Sequence, residues 1–156
     1  PADAAGIPRM HEFILTLDDE VFTAAEANGV PKSQVIPQVG KLFLDFGFHA
    51  PTVAFPEIYG LMIEPTESYT KAELDRFAET VLAIRSLIDE QPGILAGAPY
   101  FTPVDRVDEV TANRNLTLHE KLNQLPELPE NRISPELLHT LPIPEIKERI
   151  LKAASK

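Results

Sequence analysis

Two short stretches hold side chains whose types and spacing could do chemistry. The first is Phe46-Gly-Phe-His-Ala-Pro-Thr52, in which His49 stands between Gly47 and Pro51 on a tightly shaped turn. An imidazole there can hydrogen-bond a substrate or a phosphate, or shuttle a proton near neutral pH. It can equally hold the turn by bonding a backbone carbonyl. Thr52 adds a hydroxyl at the end of the same stretch. The second stretch is Leu61-Met-Ile-Glu-Pro-Thr-Glu-Ser68. Its polar groups follow an apolar run and precede a helix start, where backbone donors converge, so Thr66 or Ser68 could meet an anionic group. Glu64 and Glu67 repel a carboxylate; their expected roles are to bond backbone amides or to pair with an arginine of another domain.

The rest of the sequence narrows the classes of function. The chain has 156 residues, enough for one ordinary domain with a real core. It has no Cys, which excludes disulfides, thiolate catalysis and Cys-ligated zinc. His119-Glu120 and His139 lack the ligand spacing of a zinc site, and no Gly-rich phosphate loop occurs. The net charge of -10 argues against a nucleic-acid surface and an anionic membrane surface. No apolar run has membrane-spanning length. The opening Pro1-Ala-Asp-Ala-Ala-Gly-Ile-Pro8 has neither the basic start nor the apolar stretch of a signal peptide, and Pro1 in place of Met fits a chain cut from a longer one.

The elements that must position these stretches follow from periodicity. Residues 11–17 alternate apolar and mixed positions and predict a strand. Residues 18–30 predict a short helix or an irregular connection ending at Asn28-Gly29. A helix is predicted from Pro37, taken as its first residue, to Phe46, with Val39, Leu42, Phe43 and Phe46 on one face and Gly47 as its left-handed terminator. Residues 48–56 read as extended, and 61–64 as a short buried strand stopped by Pro65. The clearest helix runs from Lys71 to Glu90, opened by a Thr70/Glu73 capping box, with Leu74, Phe77, Val81, Ile84 and Ile88 as its buried stripe. Residues 94–104 read as a loop and 104–114 as a short helix, with Asp105, Arg106, Asp108 and Glu109 as its solvated start. Residues 122–131 read as a linker or arm, and Ser134-Pro135 and Pro144 as starts of short helices. Phe43, Phe46, Phe48 and Phe55 are expected in the core. The order of elements predicts an α+β domain, a small sheet with helices on one face.

The two polar stretches, continued by Lys71-Ala-Glu-Leu-Asp-Arg-Phe77, resemble the C-terminal region of the glycine cleavage P-protein family, the decarboxylating glycine dehydrogenases. His11-Glu-Phe-Ile-Leu15 and Ala98-Pro-Tyr-Phe-Thr-Pro-Val104 extend the resemblance over residues 10–115, with Phe46 in place of the family's usual Tyr. The resemblance implies the small C-terminal domain of a fold-type-I pyridoxal-phosphate enzyme over residues 1–115, with 116–156 a Pro-containing helical tail or arm outside it. It implies glycine decarboxylation in a cytoplasmic, oligomeric parent, transfer of the aminomethyl group to the lipoyl arm of H-protein, and a larger domain that holds pyridoxal phosphate. The family's cofactor lysine lies in a His-Lys-Thr segment, and no His-Lys pair occurs here, so no lysine of this chain is assigned to the cofactor and the chain alone is expected to be inactive. His49, Thr52, Thr66 and Ser68 are then the residues expected to face the active site, and Glu64 and Glu67 those expected at the domain interface. Two alternatives stand beside this reading. One is a non-catalytic domain that binds a partner through residues 115–156. The other is the small domain of another fold-type-I enzyme, against which counts the lack of any Arg between residues 10 and 75.

Overall fold

The computed structural model describes residues 11–56, 59–103, 108–116 and 128–155. Strand β1 spans Phe13–Thr16, β2 Thr52–Val53 and β3 Gly60–Ile63, and they form an antiparallel sheet in the order β1-β3-β2. The register pairs Phe13 with Ile63 and Leu15 with Leu61, so one face presents large apolar side chains to the core. The opposite face carries Ile14, Met62 and Thr52, which the same register aligns, and Ile14 is 47% exposed. The helices therefore cover one face, and the architecture is α+β. A sheet this short cannot stand alone; the helices that bury its inner face make it stable.

Helix α1 spans Asp19–Ala27, so residues 18–30 hold a true helix. Helix α2 spans Lys32–Asp45 and begins five residues before the predicted start. Pro37 lies inside it. A proline there removes one backbone bond, but Val35, Ile36 and Val39 on the buried face fasten the turns around it. Both helices end in the same way. Gly29 and Gly47 have φ of 82° and 80°, and each is followed by a backbone N–H that reaches five residues back, Val30 to Ala25 and Phe48 to Phe43.

Helix α3 spans Lys71–Glu90 and starts with the predicted capping box, both reciprocal bonds of Thr70 and Glu73 being present. Its buried stripe is shifted from the predicted one. Thr80, Ala83, Ile84, Leu87 and Ile88 are buried, Phe77 and Val81 are half-buried, and Leu74 is exposed because its end of the helix borders a cleft rather than the core. The predicted loop after α3 contains a 3-10 turn over Pro92–Gly97 that buries Ile94 and Leu95. Helix α4 spans Glu109–Arg114; residues 104–107 of the predicted helix lie outside the described residues. Phe43 and Phe46 are buried and Phe48 partly so, but Phe55 is 89% exposed, against its expected place in the core.

Helices α5, Pro135–Thr140, and α6, Ile143–Ala154, start where Ser134-Pro135 and Pro144 predicted within a residue or two. They share the main core: Leu138, Ile146 and Ile150 are fully buried with the side chains of α2 and α3. Three polar links hold them. Arg76 Nη2 donates to Leu138 O at 3.2 Å, Lys147 Nζ bonds Ser86 Oγ and Glu90, and Ile133 N donates to Phe101 O at 2.9 Å. Residues 117–127, which include most of the predicted linker, lie outside the described residues.

Candidate functional site

The turn after α2 is built twice over. Its left-handed Gly47 stops the helix, and the last helical residue, Asp45, turns inward instead of outward. The Asp45 carboxylate is fully buried and accepts from Tyr100 N at 2.9 and 2.8 Å and from Phe101 N at 2.8 Å. Burial pushes its carboxyl up to about 6, against the opposing pull of those backbone N–H groups and of Arg132. The Tyr100 hydroxyl donates to Ile94 O, and burial, then the Asp45 charge, push it up to about 12. Asp45 thus ties the end of α2 to the segment after the 3-10 turn, and the chain beyond it starts from a fixed point.

From that point residues 47–52 run along one side of a cleft of about 550 Å³. The end of β3, Met62 to Pro65, forms its floor; Tyr69, Glu73, Leu74 and Phe77 from the start of α3 form the far side, and His139 of α5 completes the wall. Of the residues singled out from sequence, His49, Thr52 and Glu64 come together here. Thr66, Glu67 and Ser68 do not line the cleft; they lie exposed on the turn between Glu64 and Thr70. Among the described residues no cluster of three or more His, Asp or Glu is placed to hold a metal, and no helix is long and apolar enough to cross a membrane.

His49 is exposed, and its Nδ1 lies 3.0 Å from Ala50 O. A carbonyl can only accept, so Nδ1 carries the proton, and Nε2 is the nitrogen left to act as acceptor or base. The carbonyl bond that a purely structural His49 would make is therefore present, and it leaves one ring nitrogen with no protein partner among the described residues. Glu73 is already engaged: its Oε2 accepts from Thr70 N and from Thr70 Oγ1, both at 2.7 Å. The Thr70 backbone bond first, then the hydroxyl, hold its carboxyl below the usual range, and His139 pulls the same way. Tyr69, Glu73 and His139 were not singled out as site residues. Glu73 reads in the sequence only as a cap, and His139 reaches the cleft by a fold-back of more than sixty residues that no local pattern announces.

Residues 7–95 match the family described as the C-terminal domain of glycine dehydrogenase. The chain belongs to that family. It is 45% identical over 111 residues to the probable glycine dehydrogenase (decarboxylating) subunit 2 of Chlorobium phaeobacteroides, an overlap of 70% of this chain and 21% of the relative. To the protein of the same name from Caldanaerobacter subterraneus it is 46% identical over 108 residues, 68% of this chain and 20% of the relative. The chain thus spans about a fifth of the length of the curated relatives it matches. No solved structure matches it significantly. The matched residues of this glycine dehydrogenase domain include the whole sheet, α1, α2, α3 and the cleft, except for the wall that α5 supplies.

Proposed function

We propose that this chain is the small C-terminal domain of a fold-type-I pyridoxal-phosphate enzyme, a glycine dehydrogenase, and that it acts only as part of that parent. The match of residues 7–95 carries this reading. The parent would decarboxylate glycine and pass the aminomethyl group to the lipoyl arm of H-protein; the cofactor, when bound, supplies an electron sink for the pair released with carbon dioxide. The cleft does not fit that cofactor by itself. Among the described residues no Lys or Arg lines it, and Glu64 and Glu73 repel a phosphate. The cofactor is assigned to the larger domain, and what remains for this chain is to close over the substrate, exclude water and place a few polar groups.

In this reading His49 faces the substrate and uses Nε2 to hold or accept a proton, and the Thr52 hydroxyl lies beside it on the same wall. Thr66 and Ser68, on the exposed turn outside the cleft, reach the active site only once the larger domain closes over this one, and Glu64 and Glu67 pair with basic groups of that domain. Residues 1–115 are the domain and 116–156 its extension, of which α5 and α6 pack back on it. The name "subunit 2" of the relatives supports a parent assembled from more than one kind of chain. The uncovered sheet face, with Ile14 exposed on it, is the surface the larger domain would cover, and the isolated chain is expected to self-associate through it. The acidic balance fits a cytoplasmic enzyme that binds neither nucleic acid nor a membrane.

The test is glycine-dependent bicarbonate exchange by the parent with pyridoxal phosphate and H-protein. Exchange is expected, and His49→Ala is expected to reduce it by about a hundredfold or more, the range of a lost general acid or base. A parent that binds the cofactor but shows no exchange would move the reading to another pyridoxal-phosphate enzyme.

A further inference from the structure

Helix α5 meets the site turn backbone against backbone. A Cβ built on Gly47 would lie 2.6 Å from His139 N, 2.7 Å from His139 Cα and 3.0 Å from the Leu138 carbonyl carbon. The next residue, Phe48, is held between two rings. Its centroid lies 5.5 Å from that of Phe77 at an interplanar angle of 84° and 5.8 Å from that of His139 at 71°. Helix α5 is itself anchored: Leu138 is fully buried, Arg76 Nη2 bonds its carbonyl, and Ser134 Oγ accepts from Leu137 N at 3.3 Å. It cannot swing off the turn without uncovering Leu138. His139, by contrast, is exposed, so its ring contributes little burial of its own.

We propose that α5 braces the Gly47–Pro51 turn and that His139 is a positioning residue for His49. The His139 ring fixes Phe48, and Phe48 fixes the backbone that lets His49 Nδ1 reach Ala50 O and turn Nε2 out as the free nitrogen. This deepens the reading of His49 as the cleft-facing residue and rests on it. His139 lies beyond the residues 7–95 that match the family, so the extension contributes to the site without belonging to the matched domain. Other charged and titratable groups face the same space: Glu64 from the end of β3, and Tyr69 and Glu73 from the start of α3.

The test reads geometry and not activity, so its outcome is separate from that of the exchange assay. Imidazole 15N NMR of the labelled chain, well above the ordinary histidine pKa, gives the ratio of Nδ1–H to Nε2–H tautomers at His49. In the unaltered chain Nδ1–H is expected to dominate. His139→Ala is expected to lower the ratio about fivefold, the bias that one hydrogen bond of ordinary net strength sustains. His139→Phe, which keeps a ring against Phe48, is expected to restore it. His139→Gln, which keeps bulk but has no ring, is run beside the alanine variant, so that failure of one to fold does not remove the test. An unchanged ratio in the ringless variants overturns the proposal, as does a loss in His139→Phe as large as in His139→Ala.

Discussion

The two ends of helix α2 make an internal comparison. The turn that feeds it and the turn that leaves it both carry a left-handed glycine, at φ 82° for Gly29 and 80° for Gly47, and both close with the same backbone pattern. Their surroundings differ. A Cβ on Gly29 would meet nothing within 4 Å, while one on Gly47 would strike the backbone of α5. The leaving turn is also tied from behind by Asp45, whereas the side chain of the entering turn, Asn28, only bonds back to Ala24 O of its own helix. Identical local chemistry thus yields one turn that is merely formed and one that is held from two sides, and the held turn presents His49. Rigidity is placed where a side chain has to be aimed.

The largest effect expected from this contrast is that of Gly47→Ala. The left-handed conformation costs an alanine roughly 1–2 kcal/mol, and forcing a methyl against helix backbone costs roughly 1–3 kcal/mol more. A total near 3 kcal/mol should lower the urea midpoint without changing the slope, if the folded state only shifts to make room. A loss under about 1 kcal/mol would show that α5 yields freely and would weaken the case for a brace.

Next is the pH response of Asp45. Its folded-state carboxyl is raised from an ordinary 3.8 to about 6, so the folded chain keeps a proton that the unfolded chain releases. Its contribution is therefore fully present below about pH 4 and is lost as pH rises through 6. At 1.36 kcal/mol per pKa unit the swing is up to about 3 kcal/mol. Asp45→Asn keeps an acceptor for Tyr100 N and Phe101 N but cannot ionise. Urea melts of the two chains between pH 5 and 7 should show the unaltered chain losing stability relative to the asparagine variant. Parallel curves would mean that the three hydrogen bonds offset the burial of the charge. Exposed carboxylates such as Glu73 and Glu148, held low by their partners, lose their contribution only at more acidic pH, outside this window.

What could be read from the sequence was whatever has a short period or a local partner. The capping box of α3, the glycine stop at Gly47, the strand alternation at Phe13 to Thr16 and the helix starts at Ser134 and Pro144 are all set by neighbours a few residues away. The start of α2 was misplaced because a proline is a strong local signal for a first turn, and only burial of Val35 and Ile36 shows that the helix is already under way. His49, Thr52 and Glu64 could be singled out as candidates because they stand beside glycine or proline, and the fold brings all three to one cleft. Asp45 and His139 were not. A buried carboxylate satisfied 55 residues away, and a histidine brought across a fold-back, leave no trace in spacing.

The smallest effect is that of Gly29→Ala, and it calibrates the largest. With open space around its Cβ, the variant feels only the conformational cost, roughly 1–2 kcal/mol less whatever the alanine gains by restricting the unfolded chain. A net loss near 1 kcal/mol is expected in the same urea melts. The difference between the Gly47 and Gly29 variants, about 2 kcal/mol, then isolates the contact with α5, because φ and the backbone closure are common to both. The atoms a Gly47 methyl would strike are backbone atoms of α5, so only loosening that helix should remove the difference: in a Leu138→Ala background, which removes the fully buried side chain that anchors α5, the two alanine costs should converge. If they stay apart, the excess at Gly47 comes from the Asp45 tie rather than from α5, and the turn is held from one side only.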